Sequence, residues 1–216
     1  MKTVDAKDKD LRDVSREVKT SLDGQAVTIK NSIQLHGLAA GLKKGEVVVK
    51  GDAGDYLGVL NDGATIIGTA NVGNYIADNM TAGTVVVTGN AGFGAAQYCY
   101  GGTVIVRGDA GDFTATMNKG ATIIVCGDVG DDVGTYMLKG DLIVVGNAGE
   151  NFANCLIRGN VFIGGQWKSL GHNTRVEPLT EEDKARLRAC FDTYEIDADP
   201  ATLKKIVAAS EKPFYH

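Results

Sequence analysis

The chain has 216 residues, 44% of them apolar and 23% charged, with a formal net charge of −5. That length fits one domain with short appendages, and that apolar content fills a sizeable core. The acidic balance argues against nucleic acid or an anionic membrane surface as partner. No stretch reaches the roughly 18 apolar residues of a membrane span, and the charged opening, residues 1–17, lacks an apolar signal segment, so the expected compartment is cytoplasmic.

In chain order, Leu11, Val14, Val18 and Leu22 fall on one helical stripe with charge on the other face. This predicts a short helix that plugs the first coil of a repeat region, and residues 1–25 are read as a helical N-terminal cap. From Ala26 the pattern changes. A tetrad Gly-[Asp/Asn]-[Ala/Val]-Gly recurs with its first residue at Gly51, Gly89, Gly108, Gly127 and Gly146, and Ala70 opens a variant of it. The tetrads close on Gly54, Gly92, Gly111, Gly130 and Gly149. The spacing is 19 residues throughout, as the positions 51, 70, 89, 108, 127 and 146 show. Small residues stand six before each tetrad (Gly45, Ala64, Gly83, Gly102) and seven after its first residue (Gly58, Ala77, Ala96, Ala115). Between the first small column and the tetrad lies a β-branched run such as Val47-Val48-Val49 or Ile123-Ile124-Val125.

Short β-branched runs bounded by glycine are strands. A fixed period means that each repeat meets its neighbours in the same way, so like strands stack parallel and in register at about 4.8 Å per coil. The expected fold is all-β, a right-handed parallel β-helix over residues 26–172, with about seven or eight rungs in a column of about 35 Å. A left-handed hexapeptide helix needs 18-residue coils, a calcium roll needs a nonapeptide period, and a propeller blade needs about 40 residues. None fits. A bulky corner would collide with its copy one coil away, so the tetrad glycines are assigned as structural corners. Their Asp or Asn residues are expected to tolerate left-handed backbone and to bond nearby amides. Val27-Thr28-Ile29 reads as one period upstream of Glu46-Val47-Val48.

After the coils, residues 173–216 are expected to form a helical extension. Thr180 and Asp183 have capping-box spacing, followed by Leu187, Cys190, Phe191 and Tyr194 on one stripe. Asp199-Pro200 reads as a second helix start, with Leu203, Ile206 and Val207 as its apolar face.

The residue chemistry is sparse. Cys99, Cys126, Cys155 and Cys190 form no C-x-x-C pair, and His36, His172 and His216 have no ligand spacing. Asp52, Asp109 and Asp128 share one column, but Asn71, Asn90 and Asn147 alternate with them, an exchange that a catalytic carboxylate does not tolerate. No phosphate-binding glycine motif is present. Read column by column, the repeat shows neither a clustered acid pair nor an aromatic ladder. Trp167, Tyr56, Tyr75, Tyr98 and Tyr136 could line a partner surface, but as single aromatics they read first as residues packed on loops.

The Gly51-x-x-Gly54-x-x-x-Gly58 rhythm in 19-residue coils resembles the GXGXG domain, the C-terminal β-helix of the glutamate synthase large subunit. The resemblance spans residues 25 to about 172. The lead-in Ile29-Lys30-Asn31-Ser32, followed by Gly37, is similar to that family's, with Gln34 where the family usually has Arg. Ser169-Leu170-Gly171 and Leu203 to Val207 resemble the free-standing subunits that consist of this domain. The resemblance implies a non-catalytic structural subunit with no cofactor of its own. Its partners would be a glutamine-amidotransferase-like subunit and an FMN-binding glutamate-synthase-like subunit, with FMN and an iron–sulfur cluster on the partner side. The specific expectation is the free-standing β-helical subunit of N-methylglutamate synthase. A homologue of the β-helical subunit of formylmethanofuran dehydrogenase and a stand-alone β-helical binding module are the alternatives. Because uniform coils encode no address, docking is expected where the repeat breaks, at Asn31, His36, Trp167, Phe214 and Tyr215.

Overall fold

The computed structural model describes residues 2–22 and 25–210. Its strands, in chain order, are β1 (Lys2–Asp5), β2 (Val27–Lys30), β3 (Glu46–Lys50), β4 (Asp62–Gly68), β5 (Ala82–Val87), β6 (Thr103–Val106), β7 (Lys119–Val125), β8 (Lys139–Val144), β9 (Asn160–Ile163), β10 (Thr174–Glu177) and β11 (Lys204–Ala208). Helix α1 (Leu11–Ser21) precedes β2, and helix α2 (Glu181–Tyr194) lies between β10 and β11. All strands join one 11-stranded sheet in the order β1 to β9, then β11 and β10. The pairing is parallel through β9, which makes the coils a right-handed parallel β-helix.

Strand alternation sets the core. Val47, Val49, Ile66, Val85, Val87, Val104, Val106, Ile123 and Val125 point inward and are fully buried or nearly so. The middle residue of each strand points outward. A second side of each coil is a ladder of single bridges linking Ala53, Val72, Ala91, Ala110 and Val129. The small side chains of that ladder let the walls approach.

Several expectations need correction. The first coil is offset by one: Val27 pairs with Val47, not Glu46. The pleat demands this, because only that register turns Val27 and Ile29 into the core. Beyond it the period recovers, with His36 beside Asp55 and the Gly41 N–H bonded to the Val59 carbonyl. The extra residue therefore lies in the segment that starts at Asn31, whose φ is +58°. Residues 1–25 are not purely helical, since β1 adds a parallel strand beside β2 and buries Val4. Helix α1 does plug the coil, capped by Asp10 and burying Val14 and Val18 in the main core.

The C-terminal extension differs more. The capping box at Thr180 and Asp183 forms as expected. Helix α2, however, lies along the flank of the solenoid, not over its end. Leu187 and Phe191 pack on the outward column Ile105, Ile124, Ile143 and Phe162. The helix expected at Asp199-Pro200 is a single 3-10 turn, Pro200–Thr202, followed by strand β11. Strand β11 runs antiparallel to both β9 and β10 and so covers the open edge of the last coil. Ile206 enters the main core while Leu203 enters the α2 cluster, a split that one helical face could not make.

Candidate functional site: an aromatic face of left-handed turns

The third side of each coil spans 56–60, 75–79, 94–98, 113–117, 132–136 and 151–155. It is built from alternating left-handed residues. Tyr56, Gly58 and Leu60 have φ of 60°, 68° and 58°, and Phe113, Ala115 and Met117 have 58°, 62° and 53°. The other coils repeat this, including the first at Gly37, Ala39 and Gly41. The middle residue of each triple faces inward and must be small, and Ala77, Ala96, Ala115 and Ala153 are fully buried. Hydrogen bonds stitch the face in both axial directions. The Tyr56 and Leu60 N–H groups donate forward to the Asn74 and Asp78 carbonyls at 2.8 Å, and the Gly58 N–H donates back to the Leu38 carbonyl at 2.9 Å.

Several outer members of the triples, Tyr56, Leu60, Tyr75, Tyr98, Phe113, Met117 and Tyr136, are bulky and at least partly exposed, whereas Gly94 and Cys155 are buried. Tyr56 and Tyr75 stack with centroids 5.0 Å apart, Phe93 meets Tyr75 edge-on at 5.5 Å, and Phe113 follows at 5.1 Å. This is an aromatic ladder, contrary to the column-by-column expectation. Phe93 belongs to the neighbouring column, and Gly94 stands where Tyr75 and Phe113 stand in their coils. A Cβ at Gly94 would lie 2.7 Å from the Tyr75 ring, so the ladder needs both halves of that exchange. A second outward column carries Leu60, Tyr98, Met117 and Tyr136. Leu60 is 55% exposed, Tyr100 54%, Tyr56 40%, and Phe93 and Tyr136 38% each. The Lys119 ammonium lies 4.1 Å from the Tyr100 ring centroid on the far margin of the face.

The tetrads form the near margin, and their chemistry departs from expectation. The Asp and Asn residues are not left-handed, and their amide partners are not local. Each Oδ1 accepts the N–H of the residue one coil on. Asn71 donates to Asp52 at 3.0 Å, Asp128 to Asp109 at 2.8 Å and Asn147 to Asp128 at 2.7 Å. Only a side-chain carbonyl is used, which is why Asn and Asp exchange freely. Gly108 and Gly127 likewise are not left-handed. Glycine is required there because the previous coil's Oδ1 occupies the place of a Cβ, which at Gly127 would also lie 2.8 Å from the Gly108 carbonyl oxygen. Of the other tetrad glycines, only Gly51 has positive φ.

A second, parallel ladder gives no sign of itself in the tetrad pattern. Asp55 accepts from Asn74 at 2.7 Å, Asp112 from Asp131 at 2.8 Å and Asp131 from Glu150 at 2.8 Å. His36 starts it, its Nδ1 accepting the Asp55 N–H at 3.0 Å. His36 is therefore in register with the coils. Its position, 19 residues before Asp55, is the signal that marks it.

The other expected docking residues are scattered. The Asn31 Nδ2 donates to Asp5 at 2.9 Å at the N-terminal end. Trp167 continues the bridge ladder beyond Ala148, packs partly buried against the core and carries the Lys204 ammonium 5.1 Å from its ring centroid. Phe214 and Tyr215 lie outside the described residues. Burial pushes the Cys99 thiol up to about 12, where it is an inert core residue. Burial likewise raises Cys126 and Cys190. Among the described residues no cluster of His, Cys, Asp or Glu could hold a metal, and no helix is long and apolar enough to cross a membrane. No family model matches the chain, and no curated protein matches it.

Proposed function

We propose that this chain is a non-catalytic scaffold subunit, and that the face of left-handed turns is where it holds a partner. One observation carries this reading. Tyr56, Leu60, Tyr75, Tyr98, Phe113, Met117 and Tyr136 all sit at positive φ. For a side chain with a Cβ that conformation costs about 1 kcal/mol or more, and glycine would avoid the cost. Bulky apolar residues kept at strained and outward positions support a surface maintained for contact. Contiguous apolar surface of this kind marks interaction sites.

The resemblance to the GXGXG domain supplies the specific form of the proposal: a subunit of a glutamate-synthase-type complex, with N-methylglutamate synthase first. That enzyme converts methylamine and glutamate to N-methylglutamate and ammonia. In this reading the amidotransferase-like and FMN-bearing chains are the partners, the cofactors sit on them, and the assembly is cytoplasmic. The formylmethanofuran dehydrogenase relationship stands second. The aromatic ladder favours a third reading, a stand-alone sugar-binding module. Tyr56 and Tyr75 cover each other's faces by stacking, however, and Phe93 and Phe113 are turned at other angles, so the rings offer a sugar no common flat platform. Affinity purification of the chain from its native lysate tests the proposal. Co-elution of two larger chains with a flavin absorbance band is expected, and a chain that elutes alone overturns the scaffold reading.

A further inference from the structure

We infer that the aromatic face and the tetrad margin beside it form a single docking surface whose occupant is a cationic, apolar-rich polypeptide segment. The inference rests on the scaffold reading and adds the chemistry of the partner. The corner segments 51–56, 70–75, 89–94, 108–113, 127–132 and 146–151 contain no lysine or arginine. Toward the C-terminal coils the same margin carries Asp109, Asp112, Asp128, Asp131, Asp132 and Glu150.

The two ladders stack like charges directly above one another, Asp109 under Asp128, and Asp112 under Asp131 and Glu150. Like charges opposed at strand spacing repel. One carboxylate oxygen of each lower residue is committed to a backbone N–H, so the other remains for a partner's cation. The acidic residues adjoin the aromatic ones in sequence, as Asp112-Phe113 and Asp55-Tyr56 do. A segment lying along the solenoid axis would thus meet an anionic row and an apolar row side by side. Arginine and lysine with interleaved apolar side chains complement both rows, and charge complementarity of this kind sets orientation and on-rate. On the opposite margin Lys119 is engaged by Tyr98 and Tyr100.

The fold itself provides a charge-neutral control. Asn already serves as the acceptor at positions 71, 74 and 90. The variant D109N/D112N/D128N/D131N therefore removes four charges and keeps every ladder bond. The variant E182Q/D192N/E195Q/D197N removes four exposed charges from α2 and the segment after it. The probe is a 16-residue peptide of alternating arginine and leucine, titrated by calorimetry against the full chain at low salt, beside its glutamate-for-arginine twin. The expected result is about a tenfold or greater loss of affinity in the tetrad variant with unchanged melting temperature, near-native affinity in the α2 variant, and no binding of the twin.

Equal binding by the two variants would reduce the effect to net charge and overturn the inference, as would no binding by the native chain. A concentration-dependent doubling of mass by light scattering would assign the face to a second copy and overturn it too. Native co-purification separates this inference from the scaffold reading. Partners retained by the tetrad variant as by the native chain sink the cationic surface alone. Peptide binding by a native chain that purifies without partners sinks the scaffold reading alone.

Discussion

The strand side and the turn side of the coils both carry an apolar column on their outer surface, and the chain treats the two differently. On the strand side the column ends in Ile105, Ile124, Ile143 and Phe162, and α2 covers those four with Leu187 and Phe191. Lys205 then pins the helix to β11, with its ammonium 2.9 Å from both oxygens of Asp183. On the turn side, Tyr56, Leu60 and Phe93 stay open to solvent. Apolar surface that serves the fold is covered from within the chain, at the cost of ordering a 14-residue helix. The turn side has no such cover among the described residues, although its backbone is the more strained of the two. On the scaffold reading proposed above, the difference separates a surface kept for stability from one kept for contact.

Breaking the covered side has the largest expected effect. Phe191→Ala should cost about 4 kcal/mol by opening a cavity between α2 and the sheet, measured by chemical denaturation. Next comes the Asp183–Lys205 pair. Burial opposes the Asp183 charge, but the Lys205 ammonium and the Thr180 N–H and hydroxyl hold its carboxyl below the ordinary range. Its contribution is therefore present above the unfolded value of about 3.9 and is lost as pH falls through the lower folded value. Asp183→Asn should destabilise by about 3 kcal/mol at pH 7, because Lys205 is left buried and unpaired. The gap from the native chain should narrow in melts as pH falls through that lowered folded value.

The near margin separates sterics from charge. Gly127→Val should cost about 2 kcal/mol through collision with Asp109 and the Gly108 backbone. Asp128→Ala should cost about 1 kcal/mol by orphaning the Asn147 N–H, whereas Asp128→Asn should melt with the native chain. A smaller effect of opposite sign belongs to the open face. Burial raises the Asp78 carboxyl, against hydrogen bonds from Asn79 that favour the charged form. A raised folded value means stability is present at low pH and is lost as pH rises through it. Asp78→Asn should therefore raise the melting temperature slightly at pH 7 and leave it unchanged below about pH 4.

How much of this can be read from residues alone follows the same division. The coils are legible because an unbroken period fixes stacking, and the Thr180 capping box is legible because its bonds are local. The site of α2 is not, since helical periodicity gives a helix an apolar face without saying which column will receive it. Ile206 and Val207 form an apolar run too short to tell strand from helix, and the exposed edge of β9 decides the matter. The turn face is least legible of all. Tyrosine, leucine and phenylalanine carry no signal for positive φ, so the face is marked by the small middle column Gly58, Ala77, Ala96, Ala115 and Gly134 and by Asn79, Gly94, Asp132 and Asn151 at scattered outer positions. The aromatic ladder is hidden by the one-residue exchange at Phe93-Gly94, and its rings come together only in space.

The most direct test is the double variant Leu60→Gly/Met117→Gly, followed by thermal melting and by co-purification from native lysate. If these side chains are kept at φ of 58° and 53° for contact, glycine relieves strain, and the melting temperature should hold or rise by up to about 4 °C while partner chains are lost. A variant that melts several degrees lower yet still co-purifies with every partner would show that the face serves the fold and not an interface.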